Sequence, residues 1–518
     1  RRTLGKTTSG YKNFAGGSEA LIENTTGCFN IALGHNSVKA NTTANFNIGI
    51  GAYALCKNTT GTRNIAIGHN TMGLNVSGDW NTAMGFNAMY SNTGGCKNVA
   101  VGYCALFDIT TATCNTAIGY YAAANNTTGG NQTAVGSKSL YCNTTGTLNV
   151  AVGSDALRCN TTGSCNTAIG TYAMDRATTG AGNTAGGYAA LFANTTGSSN
   201  TANGIFALTT NTTGSRNTAI GKKALNANTD GCDNTASGYK ALHSNTTGKN
   251  NTATGRDALI TNTTGCYNVA VGNFALYANT TACLNTAVGA CSLYANTTGT
   301  NNTAVGYQSL KTNACSNDNT ALGTYALCLT TGHSNTAVGK SAVQANSTGA
   351  LNTGIGKFAL PANTTACYNT AVGGCAGYTN TTGTWNTAIG FASFMSNTTG
   401  SYNTASGMYA MRNNQTGCRN VATGVRALGA NTTGHYNTAT GTCSLYSNTE
   451  GCSNVSIGFN SLLSNTTGHC NTAVGNHALK CNTTAGYNTA IGSQSLYTNT
   501  TGTGNNAIGT QALLSNTT

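Results

Sequence analysis

The side chains of this chain best suited to chemistry are its thiols and its side-chain amides. Twenty-one cysteines are spread over 518 residues, and three pairs, Cys96/Cys104, Cys283/Cys291 and Cys367/Cys375, repeat one spacing. A disulfide between neighbouring structural units would leave such a recurrence. Cys142/Cys159 and Cys159/Cys165 offer other pairings, which sequence alone leaves open. The odd total leaves at least one thiol unpaired or bonded to another chain. No Cys-x-x-Cys occurs, which argues against structural zinc and for an oxidising, extracellular setting.

The amides form a second series. The glycosylation sequon Asn-x-Ser/Thr recurs at Asn24, Asn41, Asn58, Asn75, Asn126, Asn143, Asn160, Asn194, Asn211, Asn245, Asn262 and Asn279. It continues at Asn296, Asn346, Asn363, Asn380, Asn397, Asn414, Asn431, Asn465, Asn482, Asn499 and Asn516. Asn75-Val-Ser, Asn346-Ser-Thr and Asn414-Gln-Thr keep the sequon while changing its residues. That pattern predicts an outward row of asparagines carrying glycans. Asn-Thr-Thr-Gly is also ordinary turn chemistry.

Catalytic constellations are missing from the pattern. His35, His69, His243, His333, His435, His469 and His477 have no carboxylate at a repeating offset, and the chain has only 11 acids. The recurrent Gly-x-x-Ala lacks the lysine and long helix of a phosphate loop, and calcium-binding rolls need an Asp in each coil. The sequence therefore predicts no enzyme, cofactor or metal. The net charge of +13 comes from Lys and Arg scattered singly, whereas nucleic-acid binding needs them gathered on one face. No apolar run approaches the ~18 residues of a membrane span.

These residues are positioned by a tandem repeat. Aligned on Asn-x-Ala-x-Gly, residues 13–518 divide into about thirty coils of 17 residues, with the 16-residue coil 319–334 the internal exception. Residues 1–12 read as a degenerate partial coil. The consensus is Asn-Thr-Ala-(Ile/Val)-Gly-x-x-Ala-Leu-x-x-Asn-Thr-Thr-Gly-x-x, numbered here as coil positions 1 to 17. Seventeen residues cannot bury a face alone, so coils must stack. Gly, Thr and Asn are poor helix formers. The expectation is an all-β, parallel β-solenoid or β-roll, with strands at positions 2–4 and 7–10 and like residues in ladders about 4.8 Å apart. Position 1 should form an inward Asn ladder, and position 12 carries the sequons. Position 4 is aliphatic in 22 coils and reads as the buried face. The alanine opposite it at position 3 then needs a second cover, for which another copy of the chain is the simplest choice. Gly16, Gly186, Asn203, Ser237, Thr254, Ser406, Thr423 and Thr440 interrupt position 4 and predict weaker packing there. Aromatic residues recur at positions 10 and 17, where they can stack between coils or offer a platform to sugars.

Asn-Thr-Ala-Ile-Gly followed by x-x-Ala-Leu, as in 217–225 and close variants at 319–327 and 505–513, resembles the head repeats of trimeric autotransporter adhesins. It is also similar to repeats in bacteriophage tail fibres and surface proteins of large viruses. The resemblance implies a left-handed roll, three chains side by side, and a place outside a cell or on a virion. The familiar head repeat is shorter, and here the added residues make the Asn-Thr-Thr-Gly loop. The sequence thus predicts a structural subunit of an extracellular or surface fibre, glycosylated and disulfide-stapled, self-associating end to end or laterally. The alternative is a receptor-binding adhesin or tail-fibre shaft that binds glycans.

Overall fold

The computed structural model describes residues 3–518 and is all-β, without a helix. Thirty strands, β1 (Phe14–Gly16) to β30 (Asn506–Ile508), each cover only coil positions 2–4. The chain divides into two compact units, 3–264 and 265–518. The first holds β1 to β15 (Thr252–Thr254) and the second β16 (Val269–Val271) to β30. Within each unit successive strands pair in parallel and in register, as Thr116–Thr133, Ala117–Ala134 and Ile118–Val135 do. Like residues therefore lie on like residues, which is the β-solenoid that the period implies. Residues 3–12 extend the stack, with Leu4 N–H donating to Ala20 O and Thr8 N–H to Thr25 O.

Positions 7–10 are not a second strand. Residues at positions 7 and 9 have left-handed backbones, such as Tyr53 at φ 62° and Leu55 at φ 52°, and so does position 17. Left-handed residues break the extended run that a strand needs, yet the coils remain hydrogen-bonded there. Tyr53 N–H donates to His35 O at 2.9 Å, Leu55 N–H to Thr71 O at 3.0 Å and Lys57 N–H to Gly73 O at 3.1 Å. The cost of the unusual φ is offset because the circumference still satisfies its backbone groups against the next coil. Glycine at position 5 has a separate cause. Gly119 has φ 141°, and a Cβ there would lie 2.5 Å from Gly136 O in the next coil.

The core is thin and lies between position 3 and positions 8 and 9. Ala117, Ala122 and Leu106 are fully or almost fully buried, as are their counterparts in most coils. The packing tolerates few changes of shape. Valine replaces the usual residue at position 9 only at Val38 and Val343, and glycine replaces alanine at position 3 of the next coil each time, at Gly49 and Gly354. A Cβ on Gly49 would meet Val38 Cγ2 at 2.6 Å, and one on Gly354 would meet Val343 Cγ2 at 2.5 Å. The β-branched methyl occupies the place of the alanine methyl. Ser456, the one serine at position 3, is held by Ser444 Oγ at 2.7 Å and Ser461 Oγ at 2.6 Å.

This coupling gives a double-mutant prediction. Gly49→Ala alone should destabilise by about 1–3 kcal/mol through overpacking. Gly49→Ala with Val38→Leu should return close to wild type, because leucine branches one carbon further out. Urea unfolding of the four proteins measures the interaction energy; strictly additive effects would contradict the packing described.

Candidate functional site: the columns of the solenoid

Both asparagine columns point inward. At position 1, Asn81 Nδ2 donates to Gly95 O at 2.8 Å and Asn64 Oδ1 at 3.1 Å, and Asn64 Oδ1 also accepts Asn81 N–H at 3.0 Å. At position 12, Asn75 Nδ2 donates to Asn58 Oδ1 at 2.7 Å and to Gly78 O at 3.1 Å. The position-15 carbonyl is shared, since Gly95 O also accepts Asn92 Nδ2 at 3.1 Å.

This overturns the outward glycan row. Asn24, Asn41, Asn58, Asn75, Asn126, Asn143, Asn160, Asn194, Asn211, Asn245, Asn262 and Asn279 are all 0% exposed. So are Asn296, Asn346, Asn363, Asn380, Asn397, Asn414, Asn431, Asn465, Asn482 and Asn499; only Asn516, in the last coil, is part-exposed. A glycan on Nδ2 would replace a donor and need room where there is none. Asn92, Asn228, Asn313 and Asn448 occupy the same column without a sequon and are equally buried. The recurring element is therefore the inward amide. The threonine after it serves stacking, as Thr144 Oγ1 donates to Thr161 O at 3.1 Å. Where the column is interrupted, the amides lose partners. Ala177 takes the place of asparagine, and the buried Asn160 Oδ1 beneath it has no hydrogen-bond partner. In the short coil Thr330 substitutes, accepting Asn346 Nδ2 at 2.9 Å.

The expected disulfides are not formed in this structure. The six cysteines of the pairs Cys96–Cys104, Cys283–Cys291 and Cys367–Cys375 are all thiols. At position 16, which holds the first of each pair, the side chain in many coils accepts from the backbone of the preceding coil, with Gly130, Ala181, Ala350 and Gly486 as interruptions. Cys96 Sγ accepts Asp79 N–H at 3.3 Å, Cys283 Sγ accepts Cys266 N–H at 3.1 Å and Cys367 Sγ accepts Ala350 N–H at 3.3 Å. Serine, aspartate, asparagine and histidine fill the same role, as Ser164 Oγ, Asp79 Oδ1, Asn45 Oδ1 and His435 Nδ1 show. Cys104 belongs to another environment, at position 7, where it is buried and burial pushes its thiol pKa up. His333 and His469 also take the position-16 role. Burial lowers the pKa of His243 and of His477, and among the described residues no three His, Cys, Asp or Glu side chains gather as a metal site.

The strand faces are reversed relative to expectation. Position 3 alanines face the coil's own core, and position 4 aliphatics lie on the outside, with Ile118 41% and Ile169 53% exposed. Alanine is required because positions 8 and 9 press against it, so no second cover is needed for position 3. The polar interruptions, Gly186 and Ser406 among them, are breaks in a surface stripe and not wet spots in a core. No residue at position 2 or 4 is charged in any coil. Aromatics at position 17 use their faces on one another: Tyr368 and Trp385 stack at 4.0 Å, and Arg63 lies between Phe46 at 5.6 Å and Trp80 at 4.5 Å. At position 10, Tyr277 stacks on Tyr294 at 5.0 Å and Tyr90 on Phe107 at 5.5 Å. The sequence reading missed a partly buried ion pair between successive coils at position 10, Arg158 Nε to Asp175 Oδ1 at 2.9 Å. Opposite charges at equivalent positions of adjacent coils were its visible signal.

No protein-family model matches this chain, and no curated protein matches its sequence.

Ala177→Asn should rejoin the broken column, giving Asn160 Oδ1 a donor. The expected gain is about 1 kcal/mol, read as a higher urea midpoint. An unchanged or lower midpoint would contradict the ladder's role in stability.

Proposed function

We propose that the chain is a structural segment of a fibre outside a cell or on a virion surface, and that copies pack side by side through the outer face of the strands. The observation that carries this reading is the position-4 stripe. It is aliphatic without a break from β2 (Ile31–Leu33) to β10 (Thr167–Ile169), and again from β16 to β23 (Thr387–Ile389). Threonine, valine or isoleucine flanks it at position 2 in these strands. Soluble monomers rarely expose contiguous apolar patches beyond a few hundred Å², and burying such surface yields about 25 cal/mol per Å². A face without charge, repeated at strand spacing, is complementary to another copy of itself. The surface location rests on the resemblance to adhesin heads and tail fibres.

Sedimentation equilibrium tests the first reading. The 52.2 kDa chain should run as an oligomer. Ile118→Lys with Ile169→Lys should release monomers while leaving the β-type circular dichroism unchanged, because both side chains are outside the core. A wild-type chain that is monomeric at micromolar concentration, or an oligomer indifferent to the two lysines, would overturn the reading.

A further inference from the structure

Arginine stands at position 10 in two coils, Arg158 and Arg412, and the next coil meets each of them differently. Arg158 is met by Asp175, also at position 10, with Arg158 Nε 2.9 Å from Asp175 Oδ1. Arg412 is met by Gly429, which has no side chain, and by a second arginine, Arg426, at position 7 of that coil. The backbones stay in step, since Asn413 N–H donates to Gly429 O at 3.1 Å and Arg426 N–H to Met408 O at 2.9 Å. The place filled by a carboxylate beside Arg158 therefore holds no acid beside Arg412.

A cavity of about 140 Å³ opens there, lined by Tyr409, Arg412, Asn413, Arg426, Gly429 and Tyr446. Tyr446 leans against Gly429, where an added Cβ would lie 2.9 Å from its Cε2, so the cavity is the space left beside that ring. Neither arginine forms an ion pair among the described residues. The sequence has no Asp or Glu between Asp318 and Glu450. Arg412 packs 5.0 Å from the centre of the Tyr409 ring. Two guanidinium groups lining one small cavity repel each other unless an anion lies between them.

We propose that this cavity binds a phosphoryl group, as free phosphate or as a phosphate monoester on a sugar. Charge decides the class. Near neutral pH the group carries about 1.5 to 2 negative charges and three strong acceptor oxygens, enough for both guanidinium forks. A carboxylate carries one charge and is satisfied by one fork. The volume is below the ~300 Å³ of a typical small-molecule site, so the head group enters and the rest of an ester stays outside. The lining uses none of the position-4 side chains, so the site is independent of lateral packing between copies.

Calorimetric titration of the full chain with inorganic phosphate, glucose 6-phosphate and acetate tests the proposal, at low ionic strength because the site is open to screening. The wild type should bind a phosphate roughly tenfold more tightly than acetate. Tighter binding of glucose 6-phosphate assigns the ester, and tighter binding of inorganic phosphate assigns the free ion. Arg412→Gln and Arg426→Gln, both exposed changes, should each weaken phosphate binding about tenfold. Gly429→Asp should abolish it by supplying the carboxylate from within the chain, as Asp175 does for Arg158. Arg419→Gln controls for net charge. That guanidinium donates to Tyr436 OH at 2.7 Å and lies outside the cavity lining, so its loss should leave binding unchanged. Absence of phosphate binding, equal binding of acetate, indifference to Arg426→Gln or Gly429→Asp, or a loss with Arg419→Gln as large as with Arg426→Gln would each overturn the assignment.

Discussion

Each regular coil closes on one buried carbonyl. The position-15 oxygen accepts the position-1 amide and the position-12 amide together, as Gly95 O accepts Asn81 and Asn92. Each of those asparagines also reaches the equivalent residue of the preceding coil. A buried amide left without partners costs on the order of 1–3 kcal/mol, so a coil displaced by one residue would strand several such groups at once. The two ladders therefore fix both the path of the loop within a coil and the register between coils. Backbone bonds alone would tolerate a slip far better.

That constraint accounts for the composition. The interior is built mainly of alanine, leucine and asparagine, with methionine, serine and a single phenylalanine, Phe394, at some coils, and the Val38–Gly49 and Val343–Gly354 pairs mark where a change of shape needs compensation. The variable positions, 6, 7, 10, 11, 16 and 17, lie around this core and differ in what they can contribute. Position 16 is where a side chain can accept from the coil before it, and cysteine, serine, aspartate, asparagine and histidine interchange in that role, although Gly130, Ala181, Ala350 and Gly486 show that the stack does not require it. Position 7 is constrained only by its left-handed backbone, so a ring can be dropped, as at Ala189, without disturbing the stack.

The period, the parallel in-register pairing and the corner glycine were legible in the sequence, because a fixed 17-residue repeat with an invariant glycine has few ways to fold. The direction of the strand faces was not. Hydrophobicity ranks isoleucine above alanine, so position 4 read as core; sterics decide otherwise, since only a methyl fits between positions 8 and 9. The sequon row misled for a related reason. Asn-Thr-Thr is at once a glycosylation signal and an inward amide followed by a threonine that bonds its neighbour, and the non-sequon asparagines at 92, 228, 313 and 448 were the residues that separated the two. Left-handed backbones at leucine and tyrosine leave no mark in composition, so the second strand expected at positions 7–10 could not be dismissed in advance.

The surface then carries whatever distinguishes one stretch from another. Its charge-free strand face suits contact with like chains, and its corner columns hold the isolated departures from the repeat. The central claim beneath all of this is that each 17-residue rung lies flat on the last. X-ray diffraction from an aligned sample measures it most directly. The account predicts a sharp reflection near 4.8 Å along the axis of stacking; diffraction with no axial repeat at strand spacing, or with the 5.4 Å pitch of α-helices, would contradict it.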